Sequence, residues 1–171
     1  LEPGMKVLDV GCGWGGLACW MAGHHGVHVT GITVSVEQAK LARDRCADLP
    51  IDIEIKDYRE LEGQFDRIVS VGMFEHVGQR NYQTFFSKTR SLLKDQGLFL
   101  LHTIGAGRDG LATDRWIEKY IFPNGVLPPA PELARQASAF FTIEDWHNFG
   151  ADYDPTLMAW YRNFNDAWPK L

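Results

Sequence analysis

Short apolar runs alternate along the chain with stretches in which apolar positions recur every three or four residues. The runs predict strands near 5–10, 27–32, 51–56, 65–71 and 97–103. The helical periodicity predicts helices near 15–24, 35–47 and 79–94. Ser35 reads as an N-cap. On the third helix Tyr82, Phe85, Phe86, Thr89 and Leu92-Leu93 share a face, and Gly97 reads as its stop signal. A strand near 139–144 and a helix near 154–168 close the chain, the helix carrying Leu157, Trp160, Tyr161, Phe164 and Trp168 as its stripe. Asp154 is its expected N-cap, with Pro155 at the first helical position. Strands alternating with helices predict an α/β fold with a doubly wound, mostly parallel sheet.

Between residues 104 and 137 the pattern breaks: Gly105, Gly107, Gly110, Pro123, Gly125, Pro128, Pro129 and Pro131 interrupt any regular element. An irregular segment of that length in a compact domain reads as a functional insertion on the substrate side. The whole of 1–171 is expected to form a single domain. The first strand starts by residue 5 and the last residues, Trp168-Pro169-Lys170-Leu171, finish a helix, so a fragment of a longer protein is expected.

Composition narrows the function classes. The net charge of −5, with no basic stripe, argues against nucleic-acid binding. Cys12, Cys19 and Cys46 make an odd count without CxxC spacing, which favours free thiols in a reducing compartment over a disulfide framework. No apolar run is long enough to span a membrane. His24, His25 and His28 sit at a helix end and turn, where solvation explains them better than a metal, and no metal site is expected.

The candidate chemistry starts at the first strand. Gly11, Gly13 and Gly16 form a GxGxxG turn between strand and helix, a place where bare backbone meets a nucleotide-like cofactor. Dinucleotide folds place an acid about 20 residues on, for the ribose. Here the second strand ends Gly31-Ile32-Thr33 with no acid, while Asp9 stands two residues before the first glycine. An acid there suits the cationic amino group of S-adenosylmethionine, so that cofactor is favoured over a nicotinamide, a flavin or a structural glycine turn. Thr33 and Gln38 are within reach of a ribose. Asp57 and Tyr58, after the third strand, read either as an adenine contact or as a turn acid and a half-buried aromatic.

Glu75 follows the fourth strand and His102 ends the fifth, both at the edge where open parallel sheets do chemistry. Alone, Glu75 reads equally as a helix-start acid and His102 as a structural hydrogen bonder; together they converge on one pocket. Trp146, His147 and Tyr153 read as pocket lining. Cys12 reads as a small packing residue.

Five segments resemble the S-adenosylmethionine-dependent cyclopropane-fatty-acyl-phospholipid and mycolic acid synthase family. They are Val-Leu-Asp-Val-Gly-Cys-Gly-Trp-Gly-Gly at 7–16, Asp-Arg-Ile-Val-Ser-Val-Gly-Met-Phe-Glu-His-Val-Gly at 66–78, Leu-Leu-His-Thr-Ile-Gly at 100–105, Lys-Tyr-Ile-Phe-Pro-Asn-Gly at 119–125 and Glu-Asp-Trp-His-Asn-Phe-Gly-Ala-Asp-Tyr at 144–153. The resemblance implies the Rossmann-like fold of class I S-adenosylmethionine-dependent methyltransferases. It implies transfer of a methylene group across a cis double bond of a phospholipid acyl chain, through a carbocation deprotonated by bound bicarbonate; the alternatives are an S-adenosylmethionine-dependent methyltransferase acting on another lipid or an amine, and a non-catalytic cofactor-binding fragment. Residue by residue it assigns Glu75, His102, Ile104 (by its backbone) and Tyr153 to the bicarbonate. Gly11 and Gly13 go to the methionine end, Thr33 and Gln38 to the ribose, and Asp57 and Tyr58 to the adenine side. Asp9 comes from the general fold. The family's bicarbonate site also uses a Cys region that lies before Leu1 and has no counterpart here. The implied partner is unsaturated phospholipid at the inner face of the cytoplasmic membrane, with the protein cytoplasmic and peripheral. A homodimer through regions outside this chain is a further expectation.

Overall fold

The structure is a computed structural model that describes residues 1–107 and 114–170. Its centre is one sheet of five strands: β1 Lys6–Val10, β2 His28–Thr33, β3 Ile51–Ile55, β4 Phe65–Val71 and β5 Leu93–His102. All neighbours pair in parallel, in the order β3-β2-β1-β4-β5. The chain therefore steps outward from β1 to β3, then returns to the other side of β1 for β4 and β5. That reversal opens a crevice between the carboxyl ends of β1 and β4, where ligands of doubly wound folds bind.

Helices cover both faces. Successive side chains of a strand point to opposite sides, and β1 is apolar on both. Val7, with Val29, packs under α1 (Gly16–His25), and Ile53 packs under α2 (Val36–Arg45) on the same side. Leu8, Val10 and Ile68 face the opposite layer, where α3 (Tyr82–Leu92) contributes Tyr82, Phe85 and Phe86 and α5 (Ala130–Ser138) contributes Leu133. Two further helices, α4 (Arg115–Tyr120) and α6 (Asp154–Ala167), lie outside this core. The expected stripe of α6 exists, but none of its residues is buried. No helix among the described residues is long and apolar enough to cross a membrane.

Five expectations about the fold need correction. The segment 104–137 is not wholly irregular: it holds α4, whose first amides bond to the Asp114 carboxylate, and α5. Pro131 lies in the first turn of α5, where the missing amide proton costs nothing, so it starts the helix rather than breaking it. Residues 108–113 of that segment lie outside the described residues. No strand forms at 139–144; Phe140 and Phe141 turn back on Ala137, and their rings pack on the α3-side core. They are apolar to plug that core, not to join the sheet. Gly97 is not a helix stop, because α3 ends at Leu92 and β5 begins at once. Gly97 sits where the register between β4 and β5 slips, and the Leu93 side chain lies where its Cβ would be. The start of α6 differs by one residue: Tyr153 is the cap, and Asp154 makes no capping bond.

The cysteines are the fifth correction. Cys19 on α1 and Cys46 at the end of α2 are joined by a disulfide, leaving Cys12 as the one free cysteine, buried. Local spacing carried no sign of this, since the pairing arises from two helices lying side by side. Burial and the neighbouring Asp9 push the Cys12 thiol up to about 12, which suits a packing residue. The bridge closes a loop of 27 residues. Reducing it, or replacing both cysteines by alanine, is expected to lower stability by about 3 kcal/mol, read as a lower urea midpoint than that of the oxidised protein.

Candidate active site

The glycine turn after β1 is pinned to β2: the amides of Gly11 and Cys12 both donate to the Ile32 carbonyl, at 3.0 and 2.9 Å. Gly11 has φ +83°, and a Cβ there would lie 2.6 Å from the Met73 side chain, so no other residue fits without moving that loop. Gly13 has φ +53° and open space where a Cβ would be, which leaves its backbone accessible. From outside, α2 grips the turn. Arg45 donates to the Trp14 carbonyl at 2.9 Å, and Ala42 and Cys46 press on Gly15.

Asp9 points to the α1 side of the sheet, beside Gly31 of β2. It is 1% exposed, and its Oδ2 has no hydrogen-bond partner. Burial pushes its carboxyl up to about 7. A buried carboxylate without a partner is costly and calls for a cation. At the end of β2, Thr33 donates to Gln38 Oε1 at 2.7 Å and accepts from the Ser35 amide at 3.2 Å, so the two expected ribose residues do meet. Ser35 caps α2 as expected.

Asp57 is already engaged. It accepts from the Arg59 side chain at 2.9 and 2.6 Å and from the Arg59 amide at 2.9 Å. Arg59 holds the Asp57 carboxyl below its ordinary range. Tyr58 is half-buried, its ring edge-on to Phe85 at 5.3 Å.

Level strand ends build the second half of the site. Val71 of β4 is in register with His102 of β5, and the Gly72 amide donates to the His102 carbonyl at 3.1 Å. The chain leaving β4 makes a short 3-10 turn, Phe74–His76, that buries Phe74 in the core and carries Glu75. Glu75 is 8% exposed; its Oε1 accepts from the Ile104 amide at 2.7 Å, and its carbonyl accepts from Val126 at 2.8 Å. Its Oε2 is buried without a partner. So is His102 Nδ1, two residues before Ile104.

Six buried side-chain atoms lack partners among the described residues: Asp9 Oδ2, Ser70 Oγ, Glu75 Oε2, Tyr82 Oη, His102 Nδ1 and Thr103 Oγ1. Four of these residues stand at the carboxyl ends of β1, β4 and β5 or just beyond them, and Glu75 follows in the turn after β4. Unsatisfied buried polar atoms are rare, and a group of them at one sheet edge marks a binding site. Sequence gives Ser70 and Thr103 no role and gives Tyr82 only a place on the apolar face of α3, because an isolated hydroxyl in an apolar run carries no pattern.

Tyr153 is not brought into contact with Glu75 or His102. It is 45% exposed, and its ring meets Trp160 edge-on at 5.8 Å. The segment that carries it does reach the site through another residue: Phe149 stacks on His102, with centroids 5.4 Å apart and planes 22° from parallel. Trp146 is exposed, and His147 packs edge-on against Phe149. His24 bonds to the Trp20 carbonyl and stacks on its ring, and no metal-holding group of side chains occurs among the described residues.

Against known families, the family described as mycolic acid cyclopropane synthetase matches residues 1–171. The chain belongs to that family. Among curated members of this cyclopropane synthetase family, it is 58% identical over 171 residues to cyclopropane-fatty-acyl-phospholipid synthase of Escherichia coli (strain K12). That match covers 100% of this chain and 45% of the relative. It is 38% identical over 178 residues to a probable fatty acid methyltransferase of Pseudomonas putida, covering 97% of this chain and 45% of the relative. The chain thus spans under half the length of these curated relatives. The structure of mycolic acid cyclopropane synthase CmaA1 complexed with SAH and CTAB superposes with a TM-score of 0.88 at 32% identity, over 99% of this chain and 66% of that one.

Proposed function

We propose that this chain is the catalytic part of an S-adenosylmethionine-dependent enzyme that adds a methylene group across a cis double bond of a phospholipid acyl chain. The observation that carries the reading is the pair of buried, unpartnered atoms Glu75 Oε2 and His102 Nδ1 at adjacent strand exits, beside a glycine turn with its own unpartnered carboxylate. The 58% identity to a named cyclopropane synthase supports it.

The residues fit both groups that the reading needs. S-adenosylmethionine supplies an electrophilic methyl, and bicarbonate supplies a small base for the proton lost on ring closure. Asp9 would hold the donor's ammonium, Gly11 and Gly13 its methionine end, Thr33 and Gln38 its ribose. Tyr58 would flank the adenine, with Asp57 there only if it shares itself with Arg59. Ionised Glu75 is acceptor-only, so Oε2 would take the hydrogen bond of the anion's hydroxyl, while neutral or protonated His102 donates to an anion oxygen. Tyr153 would donate as well once its segment lies closer to the β5 exit. The Ile104 amide bonds to Glu75 here, so its part in holding the anion is through that carboxylate. Aromatic faces and excluded water would protect a cationic substrate carbon from capture as an alcohol. The substrate places the protein at a phospholipid surface, reached from the cytoplasm.

The test is incubation of the protein with methyl-labelled S-adenosylmethionine and vesicles of unsaturated phospholipid. Label in cyclopropyl acyl chains, identified by their upfield ring protons, is the expected result. Label in a methyl or methylene branch would instead place the chain with the fatty acid methyltransferase relative. No transfer to lipid at all would overturn the proposal.

A further inference from the structure

We infer that Phe149 is the positioning residue for His102: its ring holds the imidazole in the rotation that keeps Nδ1 turned into the site, and it seats the Tyr153 segment at the exit of β5. The inference rests on the proposed role of His102 as an anion ligand.

Among the described residues His102 makes no side-chain hydrogen bond, and its Nδ1 is buried and unpartnered. The second torsion of a histidine is broad and roughly two-fold, so an unbonded ring turns readily unless something grips its faces. Phe149 does so, stacked at 5.4 Å and 22°. A stacked neighbour occupies the face of a ring and leaves its nitrogens, which lie on the edge, free for a ligand. A hydrogen-bonding neighbour would orient the ring equally well but would use up a nitrogen.

Phe149 is itself fixed from behind. His147 meets it edge-on, with centroids 5.4 Å apart. Its carbonyl accepts from the Asp152 amide at 3.0 Å, and it heads the 3-10 turn Gly150–Tyr153. The same ring therefore sets both the face of His102 and the starting point of the turn that ends in Tyr153. This accounts for an aromatic residue that is 40% exposed and yet belongs to neither core layer.

The test combines a spectrum with kinetics. In the protein with its imidazoles carbon-13 labelled, the Phe149 ring current displaces the His102 ring-proton resonances, assigned by their loss in His102→Gln. Phe149→Leu is expected to abolish that displacement while the amide spectrum stays folded, and Phe149→Tyr to keep it. In the vesicle assay Phe149→Leu is expected to lower kcat about 10-fold with the Kd for S-adenosylmethionine unchanged, and Phe149→Tyr to restore kcat. Unmoved His102 resonances in Phe149→Leu, or full kcat in that variant, would overturn the inference. A drop in kcat matched by loss of cofactor affinity would do the same, since it reports a general disturbance. Full turnover in His102→Gln would remove the proposed role of His102 and this inference with it. An inactive His102→Gln beside a fully active Phe149→Leu would remove this inference alone.

Discussion

Glu75→Gln is expected to lower turnover by about 100- to 1000-fold while S-adenosylmethionine binds as before. The reason lies in the two oxygens. Oε1 accepts from the Ile104 amide, and a glutamine oxygen does that equally well, so the β5 exit stays in place. Oε2 is the buried atom with no partner. In glutamine that position becomes an amide NH2, a donor where the proposed anion presents its own hydroxyl, so two donors would face each other. The cofactor turn is built from β1, β2 and α2 and does not touch this carboxylate, which is why affinity holds. Single-turnover rates and calorimetric titration separate the two effects. Loss of both together would assign Glu75 to scaffolding, and loss of neither would dismiss it from the chemistry.

Asp9→Asn is the second large effect, and it runs in opposite directions for the free and the cofactor-bound protein. Burial pushes the Asp9 carboxyl up to about 7, from an ordinary value of 3.8. Below pH 4 the group is protonated whether the chain is folded or not, and it costs nothing. As pH rises from about 4 to about 7, the unfolded chain has released the proton and the folded chain still holds it, so stability falls. Above 7 the deficit is constant, on the order of 4 kcal/mol. Asp9→Asn removes that dependence, and the free protein is expected to show a flatter stability-against-pH curve over this window in urea titrations. The cofactor, in contrast, needs the ionised form. Its affinity is expected to rise as pH passes upward through 7 in the unmodified protein and to lose that rise in Asp9→Asn. Above pH 8 the variant is expected to bind about 30- to 1000-fold more weakly, the cost of leaving a buried cation unpaired. A pH-independent Kd in the unmodified protein would sink the pairing of Asp9 with the ammonium.

How much of this was legible beforehand depended on whether residues that meet are also close in sequence. Asp9, Gly11 and Gly13 form one turn, and their spacing alone describes it. The five sheet strands were legible because strands buried on both faces read as unbroken apolar runs. Thr33 and Gln38 meet across five residues and a helix cap, and the cap was readable at Ser35. Glu75 and His102 were legible as strand-end residues, since the parallel fold brings such ends to one edge. The bond from the Ile104 amide to Glu75 was not legible: the family resemblance gives that backbone to the bicarbonate, whereas here it donates to the carboxylate. The Cys19–Cys46 bridge was read the wrong way because two parallel elements must pack before the sulfurs meet. The Phe140-Phe141 pair looked like a strand because an apolar dipeptide filling a gap and one joining a sheet have the same composition. Pro131 reads as a breaker in the sequence because its effect depends on its position in the helix, which a residue count cannot supply. Phe149 was passed over for its more polar neighbours, though its flat face does the contacting.

The tethering of α2 has a mechanical consequence. One end of the helix is tied to β2 through Thr33, Ser35 and Gln38; the other is tied to α1 and the glycine turn through Cys46 and Arg45. Anchored at both ends, this half of the molecule behaves as a fixed jaw. Under the proposed function, admitting an acyl chain and expelling the product then fall to elements outside this half, so the grip on the donor need not change while the lipid exchanges.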